Sequence, residues 1–132
     1  MTETTVRPFL MFEGKAEEAM KFYVSLFPAA KVVNLERYGA GGPGKPGTIM
    51  LATFTIAGQT VHCTDSFVNH KFTFTPSFSF WVDCESEEEI NRLFIALSAG
   101  GATLMPLDSY GFSKRFAWLS DKFGVSWQLN LA

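Results

Sequence analysis

The last stretch of the chain, residues 116–131, reads FAWLSDKFGVSWQLNL and decides the fold. Two short runs of β-forming residues flank Asp121 and Gly124, residue types that open and close tight turns. After the turn, apolar and polar side chains alternate, as they do on a strand with one buried face. The sequence therefore predicts a closing hairpin. Its polar side carries no Lys or Glu, so we expect that side to line a cavity, with Ser126, Gln128 and Asn130 as the wall.

Composition limits the class of protein. A chain of 132 residues is the size of one domain with a substantial core. Its 14 Phe and 3 Trp exceed what a minimal core requires, which indicates either an aromatic-lined pocket or a buried subunit interface. A net charge of −2 without a basic cluster argues against nucleic acid and anionic membranes. Residues 1–9 show no charged segment followed by a long apolar run, and nowhere do 18 apolar residues run together. We therefore expect a cytoplasmic protein in which Cys63 and Cys84 are reduced, buried thiols.

Upstream of the hairpin, the first half of the chain predicts a strand over residues 8–12 and an amphipathic helix over residues 15–27, which Pro28 ends. A strand over residues 31–38 is followed by a glycine-rich run, residues 39–47. Strands over residues 48–56 and 59–64 are then joined by Ala57 and Gly58, a hairpin signal. The order of elements is β-α-β-β-β.

The second half repeats this order. A strand over residues 77–83 has Phe78, Phe80 and Val82 as its predicted core stripe, and Ser86 with Glu89 forms a capping box that starts a helix. A strand over residues 103–105 precedes the closing hairpin. The helices match at an offset of 71 residues, and a second offset of 66 sets His62 against Gln128. The sequence thus predicts one domain, 1–132, with repeated modules at about residues 6–66 and 76–131.

Three blocks carry a resemblance to a known family: FEGKAEEAMKFYVSLFPAAKV, SFSFWVDCESEEEINRLFIALSAGG and DKFGVSWQLN. They resemble the PhnB-like group of the vicinal oxygen chelate superfamily of glyoxalases, bleomycin-resistance proteins and dioxygenases. Many members of that group are labelled 3-demethylubiquinone-9 3-methyltransferase. The resemblance covers nearly the whole chain. It implies an α+β fold in which two β-α-β-β-β modules form a curved sheet around a cavity, usually within a homodimer.

The superfamily resemblance also raises the question of a metal, because its enzymes usually hold a divalent ion with ligands on the first and last strands of each module. Those positions fall here at Pro8, His62, Ser77 or Ser79, and Gln128. Only His62 is a good ligand, whereas a tight site needs three or four such donors. We therefore expect neither a bound metal nor a cofactor.

His62 is the one candidate catalytic residue, and two interpretations stay open. It is either a partly buried histidine satisfied by one neighbour or a general base, with Gln128 and Ser79 orienting a substrate oxygen beside it. Cys63 is adjacent in sequence, but neighbouring strand residues point to opposite faces. A nucleophilic pair of Cys63 and His62 is therefore not expected.

Aromatic residues supply the predicted ligand contacts. Trp81 shares a strand face with Ser79 and is predicted either to stack on a ligand or to pack in a dimer. Tyr110 and Phe112 lie in a loop that either covers the cavity or crosses it, and the nearby Lys114 and Arg115 either meet an anionic ligand or stay solvated. The full predicted ligand-binding set is Ser79, Trp81, Tyr110, Phe112, Ser126 and Gln128.

Two specific chemistries are disfavoured. Residues 39–45 fit G-x-x-x-x-G-K, but Pro46 replaces the magnesium-binding hydroxyl and a β-rich run follows where a P-loop needs a helix. No glycine-rich turn occurs within an alternating β/α series, as a Rossmann-like methyl-donor site requires. The remaining functions are a binder of a small aromatic or amphipathic molecule, a metal-independent enzyme using His62, a structural dimer, or the methyl transfer implied by the family label.

Overall fold

The chain folds as two successive copies of one β-α-β-β-β pattern. The computed structural model describes residues 3–132 and divides into two compact units, one up to His70 and the other Lys71–Ala132. The first unit contains β1 (Phe9–Phe12), α1 (Ala16–Leu26), β2 (Lys31–Arg37), β3 (Ile49–Ile56) and β4 (Gln59–Asp65). The second contains β5 (Ser79–Asp83), α2 (Glu87–Ser98), β6 (Ala102–Asp108), β7 (Arg115–Ser120) and β8 (Ser126–Leu131). The predicted order of elements is confirmed in both units.

Each unit has its own four-stranded sheet. The strand orders are β1-β4-β3-β2 in the first sheet and β5-β8-β7-β6 in the second. In both, the first and last strands of the unit pair in parallel, and the other pairs are antiparallel. These two mixed sheets with two helices form the predicted α+β, glyoxalase/bleomycin-resistance-like fold.

Helix α1 packs with the apolar stripe that its 3.6-residue period predicts, and Tyr23 and Leu26 belong to its buried residues. Its N-cap, Lys15, offers no side-chain acceptor. The carboxylate of Asp65 accepts hydrogen bonds instead from the N–H groups of Gly14 (2.8 Å) and Ala16 (2.9 Å). Asp65 also accepts one from the Ile49 N–H (2.9 Å) and is 3% exposed. A carboxylate at a helix N-terminus satisfies unpaired donors and complements the helix dipole.

Helix α2 begins with the predicted capping box. Ser86 Oγ accepts from the Glu89 N–H (3.1 Å), while the Glu89 carboxylate accepts from the Glu85 N–H (2.8 Å). Ile90, Leu93 and Leu97 are buried. Within residues 3–132, no helix has the length and apolar character that crossing a membrane requires.

The closing hairpin is present, with its turn at residues 121–125. Asp121 is 3% exposed, and its Oδ1 accepts from the N–H groups of Phe123 (2.8 Å) and Val125 (3.1 Å). Its Oδ2 accepts from the indole N–H of Trp127 (2.9 Å), which is fully buried. Gly124 takes φ 91°, the left-handed conformation that glycine adopts without strain. One carboxylate therefore holds both the turn and the strand that follows it.

Two strands differ from the prediction by more than one residue at an end. Strand β6 runs to Asp108 rather than ending near Met105, and it includes Pro106, which an edge strand tolerates because one side needs no ladder hydrogen bond. Phe78 was expected in the core, but it precedes β5 and is 66% exposed. Its N–H bonds back to the Thr75 carbonyl, so the chain is still turning at that residue.

The glycine-rich run forms a closed loop between β2 and β3. The Tyr38 N–H donates to the Thr48 carbonyl (2.9 Å), and the Gly47 N–H donates to the Tyr38 carbonyl (3.0 Å). Strand β3 follows at once, beginning at Ile49. The loop therefore lacks the helix N-terminus on which a P-loop holds phosphate, as the sequence predicts.

Candidate functional site

The predicted site residues on strands lie in rows across the sheets, on the face opposite each buried core, whereas Tyr110 and Phe112 lie in the loop between β6 and β7. Cross-strand partners project to the same side of a sheet. The central row of the first sheet contains Phe9, His62, Thr53 and Asn34. The matching row of the second sheet contains Trp81, Gln128, Trp118 and Met105. His62 and Gln128 therefore occupy equivalent places, as the offset of 66 predicts. His62 belongs to the first unit, and the six predicted ligand-binding residues belong to the second.

His62 is half-buried and held by a hydroxyl group. Its Nδ1 lies 2.8 Å from Thr53 Oγ1, and its ring centroid lies 6.4 Å from that of Phe9. Thr53 is itself buried. Among residues 3–132, no side chain or carbonyl bonds to the Nε2 atom of His62. When Nδ1 donates its proton to Thr53, Nε2 is the acceptor, which is the form that a general base requires.

Thr53 was missed at the sequence level, although a signal for it was present. The turn at Ala57 and Gly58 takes positive φ at both residues (45° and 83°), as in the two-residue turns typical of hairpins. Such a turn fixes the register, with Ile56 opposite Gln59. Counting back along both strands from that pair places Thr53 opposite His62.

The cysteines are inert in this environment. Cys63 is buried on the face opposite His62, so the two side chains do not form a pair, as predicted. Burial, with a smaller effect of Asp65, raises the pKa of the Cys63 thiol to about 12. Burial also raises the pKa of Cys84 to about 11. Both thiols are free, and neither forms the thiolate at neutral pH.

In the second sheet, Gln128 sits above a cluster of hydroxyl groups. Ser79 Oγ lies 2.6 Å from Ser126 Oγ, and Gln128 Nε2 donates to Ser79 Oγ (3.3 Å). The indole N–H of Trp118 donates to Ser126 Oγ (2.9 Å). Ser126 is 1% exposed, so its hydroxyl organises its neighbours. The side-chain oxygen of Gln128 accepts no hydrogen bond from residues 3–132, which leaves it for a ligand.

Beside Gln128, Trp81 is 53% exposed but fixed in place. Its indole N–H donates to Asp83 Oδ1 (2.9 Å), and its ring centroid lies 5.8 Å from that of Phe116. Phe116, which is buried, also contacts Phe112 (4.9 Å between centroids) and Tyr110 (6.1 Å). We call these four residues the aromatic cluster. Phe116 and Asp83 were not among the predicted contacts, although Asp83 lies on the same face of β5 as the predicted Ser79 and Trp81.

The two cations near this loop are not equivalent. Arg115 pairs with Leu131 in the strand register, so its side chain lies on the face opposite Phe116 and Asn130. Its buried Nε has no hydrogen-bond partner among residues 3–132. Lys114 is exposed in the loop. One alternative predicted for these two cations was contact with an anionic ligand. Only Lys114 is exposed on the loop and available for that role.

The donor set does not fit the divalent ion that the superfamily implies. The first-strand neighbour of His62 is Phe9, and the Pro8 carbonyl already accepts from the His62 N–H (3.0 Å). Ser79 is occupied by Ser126 and Gln128. Across residues 3–132, no three side chains of His, Cys, Asp or Glu converge. The first-strand position was predicted at Pro8, but the register sets Phe9 opposite His62, and neither side chain can bind a metal ion.

Comparison with known proteins locates this fold among relatives. A family model described as 3-demethylubiquinone-9 3-methyltransferase matches residues 4–130. A solved structure from Bacillus cereus, a putative 3-demethylubiquinone-9 3-methyltransferase, PhnB protein, is 60% identical, with a TM-score of 0.95 over 98% of this chain and 100% of that chain. Protein YjdN of Escherichia coli K12 is 25% identical over 94% of this chain and 92% of its own length.

A more distant similarity concerns the fold alone. FosX, a genomically encoded fosfomycin resistance protein from Listeria monocytogenes, is 13% identical, with a TM-score of 0.59 over 100% of this chain and 95% of that chain.

Proposed function

This chain belongs to the 3-demethylubiquinone-9 3-methyltransferase-like, PhnB-like family of the vicinal oxygen chelate superfamily, and we propose that it binds a small molecule without a tightly held metal ion. The ligand is aromatic or amphipathic and lies on the second sheet. Ser79, Trp81, Tyr110, Phe112, Ser126 and Gln128 form or organise its site.

One observation carries this proposal: an exposed indole is held rigidly next to an unpaired amide oxygen. Trp81 is fixed by Asp83 and Phe116, so little conformational entropy is lost when a ligand stacks on it. Burying an aromatic surface is favourable, and a few polar groups then orient the ligand. The side-chain oxygen of Gln128 supplies such a group in the same row of the sheet.

The proposal includes two properties of the whole protein. We propose a homodimer, supported by exposed apolar side chains on edge strands β2 and β6, such as Val33 and Leu104. Light scattering after size exclusion tests the homodimer, and a monomer mass contradicts it.

A cytoplasmic location is supported by the two free, buried cysteines.

The test starts from the ligand. Native mass spectrometry of the purified chain, followed by thermal-shift screening of aromatic compounds, identifies a binder for calorimetry. We expect Trp81→Leu to weaken that binding about tenfold, because the stacking surface is lost. Phe78→Leu removes a similarly exposed ring outside β5 and should change the affinity less than about twofold. Equal affinity of wild type and Trp81→Leu contradicts the proposal.

Absence of a tight metal is tested separately. We expect elemental analysis of the purified chain to find no stoichiometric divalent ion. About one ion per chain, lost in His62→Ala, would overturn this part of the proposal while leaving the ligand site open to test.

A metal-independent enzyme is the second candidate, and the geometry of His62 favours it. Thr53 holds Nδ1, and Nε2 has no partner among residues 3–132, as a positioned base requires. The test is conversion of the identified ligand. Turnover that is lost in His62→Gln while binding persists supports the enzyme, and ligand recovered unchanged supports the binder.

Methyl transfer, named in the family description, is the remaining alternative. Both sheets are mixed, unlike the parallel sheet on which a Rossmann-like site holds its nucleotide at a glycine-rich turn. Incubation of the identified ligand with S-adenosylmethionine tests it. A methylated product in the mass spectrum would support this alternative over simple binding.

A further inference from the structure

The aromatic cluster on the second sheet lies against a carboxylate. We propose that Trp81, Tyr110, Phe112 and Phe116, together with Asp83, bind an organic ammonium cation. This inference rests on the proposed function and specifies it, because it assigns the small molecule a positively charged amine next to its apolar part.

The rings form a connected cluster around Phe116. Phe116 is buried at the centre, with Phe112 and Tyr110 nearly perpendicular to it (79° and 87°). Tyr110 and Phe112 stack on each other at 16°. Trp81 and Phe112 leave more than half of their surface exposed (53% and 59%). Exposed aromatic rings attract an ammonium group through their quadrupoles, and several rings in one cluster do so more strongly than a single ring.

Asp83 contributes a negative charge that no cation neutralises. Its Oδ1 accepts hydrogen bonds from the indole N–H of Trp81 (2.9 Å) and the amide of Asn130 (3.1 Å). These bonds lower the pKa of Asp83, so the carboxylate is ionised at neutral pH. Among residues 3–132, no Lys, Arg or His pairs with it, and Oδ2 accepts no hydrogen bond.

A chain of hydrogen bonds fixes the rings and the carboxylate relative to one another. Ser113, in the loop that carries Tyr110 and Phe112, donates to the Asn130 side-chain oxygen. Asn130 donates to Asp83, and Asp83 accepts from Trp81. The loop, β8 and β5 are thereby joined at the site. A preorganised site loses less entropy when its ligand binds.

The surrounding charges favour a cation over an anion. In the strand register, one row across the second sheet contains Asp83, Asn130, Phe116 and Asp108. An acidic residue therefore stands at each end of this row, on the same side as Phe116. Arg115 lies on the opposite face. Lys114 is the one basic residue of the loop, and it makes no ion pair with Asp83.

Three probes that share a phenol ring test the charge preference by calorimetry on the full chain. They are (3-hydroxyphenyl)trimethylammonium, its neutral isostere 3-tert-butylphenol, and 3-hydroxybenzenesulfonate as the anion. We expect the ammonium probe to bind roughly tenfold more tightly than the isostere, and the sulfonate to bind least. Equal or tighter binding of 3-tert-butylphenol would overturn the inference and leave the proposed function standing.

Variants assign the preference to the site. In Asp83→Asn the side chain can still accept from Trp81, but the charge is gone, so the preference should fall to about twofold. Glu88→Gln, which removes an exposed carboxylate on α2, should keep the wild-type preference. Phe112→Leu, an exposed position outside the core, should reduce the preference by about half. A preference that persists in both Asp83→Asn and Phe112→Leu overturns the inference.

The outcomes separate the two levels of the proposal. Binding of the neutral phenol that is lost in Trp81→Leu, without any cation preference, supports the proposed function and rejects the ammonium site. Failure of all three probes to bind rejects the ammonium site, while the ligand identified by mass spectrometry still decides the proposed function.

Discussion

The central rows of the two sheets have the same geometry and different chemistry. In the first sheet, His62 is held by Thr53 beside Phe9, and in the second, Gln128 is held by Ser79 beside Trp81. The first row thus presents a titratable nitrogen, and the second presents an amide and an indole. The difference teaches that strand register can be kept while the donors of a superfamily site are replaced.

A similar parallel exists in the scaffold. Each unit contains one aspartate that is 3% exposed and accepts three N–H bonds. Asp65 holds the start of α1 and the start of β3, whereas Asp121 holds a turn and Trp127. The two carboxylates have equivalent structural roles at different places in their units. Substituting each of them is therefore the most sensitive way to compare the two units.

The largest effect is expected there. Asp65→Ala and Asp121→Ala should each lower the free energy of unfolding by about 3 kcal/mol, because each leaves three donors without their acceptor in a buried setting. Urea denaturation measures this. Glu36→Ala, at an exposed position on β2, should change stability by less than about 0.5 kcal/mol. A small effect at one aspartate alone would break the parallel between the units.

A smaller effect is expected on ligand affinity, which should differ between variants of the two central rows. Ser79→Ala removes the hydroxyl that positions Gln128, so we expect a roughly tenfold loss of affinity, about 1.4 kcal/mol, for the identified ligand. Thr53→Val, in the first row, should change it less than about twofold. Calorimetry provides the measurement. Equal losses in both variants would show that the rows act together in binding.

Thr53→Val should have its main effect on stability. The buried hydroxyl loses its hydrogen bond with His62, which we expect to lower the free energy of unfolding by about 1 kcal/mol. Thr55→Val is the matched control, because Thr55 lies two residues along β3 on the same face of the strand. The hydroxyl of Thr55 makes no hydrogen bond with any described residue. Identical denaturation midpoints for Thr53→Val and wild type would argue against a structural role of the pair.

The smallest effect concerns a surface ion pair of the first unit. Hydrogen bonds from Arg37 (2.7 Å) and then Lys21 lower the pKa of Glu17 to about 2 from 4.5. Because the folded pKa is lowered, the stabilisation is full above about pH 4.5 and is lost as the pH falls towards 2. Arg37→Gln should lower the free energy of unfolding only slightly at pH 7, since solvent screens the pair.

Denaturation series at pH 7 and pH 2.5 check this prediction. The difference in the free energy of unfolding between wild type and Arg37→Gln should shrink at the lower pH. It should also shrink in 1 M salt, where the screening length falls to about 3 Å. Arg7→Gln, at an exposed position without an ion pair among residues 3–132, should show no pH-dependent difference. A difference that grows as the pH falls would contradict the assignment.

Much of the fold could be predicted because its signals are local. The capping residues Ser86 and Glu89 mark the start of α2, and Asp121 with Gly124 marks the last turn. These residues act on neighbours a few positions away, so their chemistry can be read along the chain. The prediction that Phe78 lies in the core was wrong because alternation is also a local signal. It does not show that the chain is still turning at Phe78.

The candidate site was predicted in part. Trp81 and Gln128 are neighbours across β5 and β8, and alternation placed each on the polar side of its strand. Thr53, Asp83 and Phe116 were missed, since their roles depend on which residue of another strand lies opposite. The register of the first hairpin was accessible from its two-residue turn, but the parallel pairing of β5 with β8 was not.

The sequence by itself determined the repeated β-α-β-β-β order, the buried stripes and the replacement of metal ligands by proline, serine and glutamine, because periodicity and residue type are properties of the chain. Only the tertiary structure decided that Phe9 lies beside His62, that Trp81 lies beside Gln128, and that Phe116 packs against Trp81. These contacts link residues far apart in sequence. Strand pairing across a sheet sets them, and no local pattern encodes that pairing.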